Sequence, residues 1–443
     1  MMGAWFKPSS WTRRGQIAFG GLLVLSIVIL VGWQWAYVTW QMRTARSALL
    51  NGDVESALNV LQRAEPFQPE RAELLYLLSR TFRRTGQIEQ AIHYVDRAAL
   101  RGWPEEELRH QRNLALVQMG RFHQAESYLK EILRKGCSDE LAEEVYEAQA
   151  RGYLKTFRLN DAVVCLNYWT QWRPNALQPR LWLADVWERC DRWQSACDEY
   201  RAILRGHPGH HEARLRLAVN LLRINKVRSA RQEFETFLEE HGNDVEALIG
   251  LASCQRRLAN TDEAQQRFQT LLSCSLTAGQ RADVLVELGQ IAIDAKDVSR
   301  AIELLTKATE FDPQNRLAHS SLAMAFLKID RDDQAARHRE QAERIGKRFA
   351  RLTKIINRLS TVPGDADLRW EAGTILMDQG LSEEGAAWMA TALLFDPQHD
   401  QTHQSLADYY TRIGDEGSAA YHREKVAAPR QNLDAPVHTD VKN

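Results

Sequence analysis

The 443 residues include six cysteines, Cys137, Cys165, Cys190, Cys197, Cys254 and Cys274, with no CxxC pair, haem-attachment pattern or zinc-ligand spacing among them. They read as small buried residues. A bridge between Cys190 and Cys197, which flank one turn, stays open in an oxidising compartment. No cysteine precedes Cys137, which excludes a lipid-modified N-terminal cysteine. A phosphate-binding glycine loop, a nucleophile elbow and a zinc-protease helix are also missing, so no cofactor or metal is implied and a binding protein ranks ahead of an enzyme. The histidines His207, His210, His211, His399 and His403 fall at junctions and read as surface residues, since the i, i+4 pair lacks a third ligand. Charge excess is lacking too, at a net −1, and nucleic acid is not expected as a partner. What is present, 44% apolar and 26% charged residues, belongs to an ordered, packed chain.

The organising unit is Ala282 to Pro313. Leu285, Leu288, Gly289 and Ala292 recur at the spacing of one helix face, Asp297 supplies an N-cap, and Ala301, Leu305 and Ala308 share a face of a second helix before Pro313. The small residue at Ala301 returns as Ala57, Ala91, Ala125, Ala162, Ala196, Ala230, Ala264, Ala301, Ala335, Gly385 and Ala419, at steps of 34 broken by two of 37 and one of 50. Pro69, Pro174, Pro208, Pro313 and Pro397 each follow it by twelve residues. This pattern resembles the tetratricopeptide repeat, two antiparallel helices in about thirty-four residues. The resemblance covers about residues 38 to 428. It implies an all-α fold, a right-handed α-solenoid of about eleven hairpins, and a protein that holds peptides or partner subunits along its concave face. The three-residue insertions near Gly136 to Glu140 and Cys274 to Gly279 are expected to be loops between repeats.

Ile17 to Val38 runs 22 residues without a charge, enough at about 1.5 Å per residue to cross a bilayer core of roughly 30 Å. Trp5, Phe6 and Trp11 precede it and Trp33, Trp35, Tyr37 and Trp40 close it, as interfacial aromatic belts do. No small-x-small cleavage site follows directly, which favours a retained anchor over a signal peptide. Lys7, Arg13 and Arg14 before the run, against Arg43 and Arg46 after it, place the N-terminus in the cytoplasm and the solenoid outside it, on the periplasmic side. A solenoid facing the cytoplasm is the alternative. With no glycine or proline between Gly32 and Gly52, the anchor helix can run unbroken into the first repeat.

The expected organisation is therefore a cytoplasmic segment 1–15, an anchor 16–40, a solenoid 38–343, a basic amphipathic helix insertion 344–365, two further repeats 366–428 and a polar tail 429–443. In the insertion, Ile345, Phe349, Leu352, Ile356 and Leu359 form a stripe beside Arg344, Lys347, Arg348, Arg351, Lys354 and Arg358, suited to an acidic partner, an anionic lipid surface or simple packing on neighbours. The thirteenth position of the first helix, on its inner face, is basic in seven of ten repeats from the second onward, including Arg84, Lys155, Arg189, Arg223 and Arg257, and Arg80, Arg83, Arg151 and Arg256 lie at other inward positions. Two readings stand: these cations complement helix dipoles, or they form a groove for an acidic or C-terminal peptide with Trp182 as an apolar anchor. The family includes membrane-anchored bacterial proteins of lipopolysaccharide and cytochrome assembly, and the chain lacks the rubredoxin-like cysteine module of the former. The function expected is a membrane-anchored scaffold of cell-envelope complex assembly; an adaptor facing the cytoplasm or a regulatory subunit of a membrane enzyme complex is the alternative.

Overall fold

In the computed structural model, residues 13–359 and 361–427 are described. Trp5, Phe6, Trp11, Lys7, the side chains of Arg13 and Arg14 and the polar tail lie outside the described residues. Those described form 22 α-helices and no strand, an all-α solenoid of hairpins. Two compact units divide the chain, one up to Gly152 and one from Tyr153.

Each hairpin turns at the residue five before its small residue. That position is left-handed in all eleven repeats: Gly52, Gly86, Gly120, Gly380 and Gly414, and also Phe157, Asp191, Asn225, Ala259, Lys296 and Asp330. The next N–H donates back to a carbonyl five residues earlier, as in Gln87 to Phe82 at 2.8 Å and Asp415 to Tyr410 at 2.9 Å, which satisfies the first helix's terminal carbonyls. After the turn, Asp53, Asp297 and Asp415 cap the second helices of their repeats. Behind it the small residue meets the first helix, and Ala57, Ala125, Ala162, Ala196, Ala230, Ala264, Ala301 and Ala419 are all fully buried. In the tenth repeat two glycines share this crossing. A Cβ on Gly373 would lie 2.6 Å from the Gly385 carbonyl oxygen, so the backbones meet without side chains between them.

The three-residue insertions are not loops. They lengthen the first helices of the fourth and eighth repeats, Asp139–Lys155 and Ala278–Asp294, to 17 residues each, against 13 in Ala72–Arg84. Start signals explain this: Asp139 and Glu140 place acid in the first turn of one helix, and Thr277 with Gln280 forms a capping box on the other.

Arg13–Leu50 is one helix of 38 residues. Among the described residues it is the one helix long and apolar enough to cross a membrane. Leu22 to Leu25 and Val28 to Val31 stand exposed, whereas Val38, Met42, Ala45 and Leu49 are buried as the first helix of the first repeat. The junction is stiffened by packing: Trp33 and Tyr37 meet Phe67 at 6.1 and 5.2 Å between ring centroids, and Arg71 lies over Trp35 and donates to Thr39. The second long helix, Asp332–Leu359, serves as second helix of the ninth repeat and continues through the expected insertion, ending before 365. Ile355 and Leu359, with Leu352 and Ile356 beside them, pack on Ala372, Leu376 and Trp388 of the tenth repeat.

Candidate functional site

In the first unit, the inward faces of the first helices carry a buried ion-pair network. Arg80, Arg83 and Arg84 project from Ala72–Arg84 at 3 and 4 residue steps, and Glu140, Glu144 and Glu147 do the same from Asp139–Lys155. Arg80 pairs with Glu144 and, at 2.5 Å, with Glu140; Arg83 reaches Glu144 at 2.6 Å; Arg84 reaches Glu147 at 2.9 Å. Gln111, from the repeat between, accepts from Arg83 and donates to Glu144. Burial pushes the Glu144 carboxyl up, but Arg80, Arg83 and the Gln111 hydrogen bond outweigh it and hold the group at about 2.

Next to this network lies a cleft of about 590 Å³ lined by Tyr76, Arg80, Trp103, His110, Ser138 and Glu140, among others. Tyr76 and Trp103 stack with centroids 4.9 Å apart, giving the wall a flat aromatic surface beside charged groups. Aromatic rings beside polar groups are the usual make-up of a protein-recognition surface.

The other expected groove residues are placed as follows. Arg151 pairs with Glu147 at 3.1 Å, and Lys155 is exposed. Trp182 is half-buried edge-on to Trp169, Arg189 pairs with Asp185 at 2.9 Å, and Arg223 lies over Trp193. Arg256 pairs with Glu287. Arg84 and Arg257 each donate at 3.1 Å to a carbonyl 35 residues earlier, Leu49 and Leu222, in the last turn of the preceding repeat's first helix. These cations therefore cap a neighbour's helix as well as facing inward. In the long basic helix Arg348 pairs with Asp378 and Arg351 with Glu371, Arg344, Lys347, Lys354 and Arg358 are exposed, and of the apolar stripe only Phe349 stays half exposed.

A second recurring arrangement escaped the sequence reading. Sixteen residues before the small residue, a side chain reaches the carbonyl of the inter-repeat proline and a group 19 residues on: Arg214 meets Pro208 and Glu233, His319 meets Pro313 and His338, and His403 meets Pro397 and His422. His403 is consequently buried, not a surface residue, and His399 is buried as well, capping its helix through Thr402 and meeting Asp367. His210 likewise caps at Ala213. His211, Glu240 and His241 bring ligand atoms within 4.8 Å of one another, the one group of metal-ligating type found among the described residues, and all three are exposed. No disulfide joins Cys190 to Cys197; Cys165, Cys197 and Cys254 are buried, Cys137 and Cys190 half-buried and Cys274 exposed.

The family model described as tetratricopeptide repeat matches residues 39–107, 215–280 and 255–316. No curated protein matches the chain. Among solved structures, a tetratricopeptide repeat protein from Parabacteroides merdae is 15% identical, covering 66% of this chain and 99% of its own, at a TM-score of 0.34. MamA from Desulfovibrio magneticus is 16% identical over 39% of this chain and 95% of its own, at 0.31. The pilF protein of Pseudomonas aeruginosa is 15% identical over 49% and 90%, at 0.27.

Proposed function

The chain is a tetratricopeptide-repeat protein, a protein-interaction scaffold by its fold, and from that premise we propose that it is held in a membrane by its first helix and gathers partner proteins of the cell envelope there. One observation carries the proposal: a single helix is exposed and apolar over Leu22 to Leu25 and Val28 to Val31 and becomes the packed first helix of the solenoid by Val38. Such a helix fixes the repeats close to the bilayer, with the stacked aromatics of its junction leaving no tether to swing on. The charge bias of the sequence supports a solenoid facing away from the cytoplasm, in an assembly role.

The partner segment lies against the first helices. In the first unit its site is the cleft of Tyr76, Trp103 and His110, where Arg80 is already neutralised by Glu140 and Glu144. Selectivity for acidic segments falls instead to the exposed Arg189, Arg223 and Arg257 and to Lys155, with Trp182 beside them. A photoreactive residue in place of His110, in the full-length chain in its own membrane, is expected to capture one discrete protein, while the same residue at Lys130 on the outer helix captures none. Equal capture at both positions, or none at either, refutes the cleft as the docking surface.

A further inference from the structure

The tenth repeat departs from the proline-carbonyl arrangement in one respect. Arg180 and Arg214, at the same register position in earlier repeats, each meet a glutamate 19 residues on, Glu199 and Glu233, both at 2.9 Å. The tenth repeat keeps the arginine, Arg369, and its bonds to the Pro363 carbonyl, but the residue 19 further on is Trp388. Arg369 is fully buried, and among the described residues no carboxylate forms an ion pair with it, Asp365 acting on it only through its charge. Burial, with the charge of Arg158 nearby, pushes its guanidinium down to about 10.

The place of the missing acid is taken by a turn 213 residues away in sequence. Arg369 donates to the Thr156 carbonyl and to the Thr391 hydroxyl, and the ring of the next residue, Phe157, stacks on Trp388 with centroids 3.8 Å apart and planes 15° from parallel. Phe157 is the left-handed residue of the fourth hairpin, at φ +51°. A bulky side chain in that conformation is an outlier, because its Cβ crowds the following carbonyl. Glycine, asparagine or aspartate fills the position in most other repeats, and none of those could deliver an aromatic ring. The strain is retained where the ring has a slot to enter, walled by Ile355, Leu359, Ala372 and Leu376.

We propose that Arg369, Trp388 and Thr391 form a recognition pocket for a peptide turn that offers a backbone carbonyl followed by an aromatic ring, and that Thr156–Phe157 is its resident occupant, clasping the turn before the helix Leu159–Trp172 to the tenth repeat. The carbonyl supplies the acceptor that a glutamate supplies elsewhere, and the ring covers the indole.

The test uses the full-length chain with Phe157→Gly, which removes the ring while giving the turn its best residue. Amides of the helices Ala366–Asp378 and Ser382–Phe395 are expected to exchange at least tenfold faster, while Leu159–Trp172 is not accelerated. Millimolar N-acetylphenylalaninamide, whose acetyl carbonyl stands where that of Thr156 does, should restore protection in Phe157→Gly and fail to do so in Phe157→Gly with Trp388→Ala. Unchanged exchange in Phe157→Gly overturns the clasp. Faster exchange that the probe does not reverse, or reverses equally in the double variant, overturns the pocket.

Discussion

Replacing Glu144 by Gln removes one charge from the centre of the first unit's network and leaves Arg80 and Arg83 facing each other without it. Glu144 is 3% exposed and accepts from both arginines and from Gln111. Its pKa of about 2, against an ordinary 4.5, corresponds to about 3 kcal/mol at roughly 1.4 kcal/mol per pH unit. Stranding a buried partner costs a similar ~3–5 kcal/mol, and glutamine, which still accepts one hydrogen bond, keeps the loss at the lower end. An exposed pair such as Arg189–Asp185 would contribute below about 1 kcal/mol. The folded pKa is depressed, so the stabilisation is full above pH 4.5 and is lost as pH falls through about 2. The assay is urea-dependent hydrogen exchange of the helix Ala72–Arg84 in full-length protein, with His211–Arg223 of the second unit as internal reference; urea is used because guanidinium screens charge. At pH 7 the Glu144→Gln protein should lose about 3 kcal/mol in the first helix and nothing in the reference, and by pH 3 the gap should shrink. A loss below about 1 kcal/mol, or the same loss at pH 7 and pH 3, refutes the reasoning.

The paired histidines make the last repeats acid-sensitive: burial and the facing ring lower His338 and His422 from 6.5, so the folded chain binds fewer protons and stability falls as pH drops below 6.5. Exchange protection in Arg316–Leu327 and Asp400–Arg412 should therefore decline between pH 7.5 and 5.5, and His338→Gln should flatten the decline in the former. Ala259→Gly relieves a left-handed alanine at φ +67° and should raise the stability of the seventh hairpin by about 0.5–1 kcal/mol, whereas Gly86→Ala should lower that of the second by about 1 kcal/mol, both read by urea melts. Gly373→Ala places a methyl 2.6 Å from the Gly385 carbonyl oxygen and should cost about 1–3 kcal/mol by thermal melting.

The sequence made legible whatever is set by local spacing. Eleven small residues in phase located every hairpin, because a helix crossing tolerates little else there, and the lack of glycine or proline before Gly52 announced the continuous first helix. Six of the eleven left-handed turns were hidden, since only five carry glycine and nothing about Phe157 or Ala259 signals such a conformation. The inward cations were visible, but not their partners: Glu140, Glu144 and Glu147 stand some 60 residues from the arginines they neutralise, and only stacking across an intervening repeat brings them together. The acidic row itself, at 3 and 4 residue steps, was the signal available. His403 was within reach too, since it occupies the register of Arg180 and Arg214, an inward position whatever residue fills it.

The membrane-held scaffold is tested most directly by the side of the bilayer from which Cys274 reacts. Cys274 is the exposed thiol, whereas burial raises Cys190 and pushes Cys197 and Cys254 up to about 11 and about 12, leaving little thiolate there. A membrane-impermeant maleimide applied to intact spheroplasts should label the wild-type chain, leave Cys274→Ser nearly unlabelled, and leave the labelled protein in the membrane pellet after alkaline wash. Labelling that appears only after the membrane is permeabilised, or a labelled chain that washes free of it, contradicts the account.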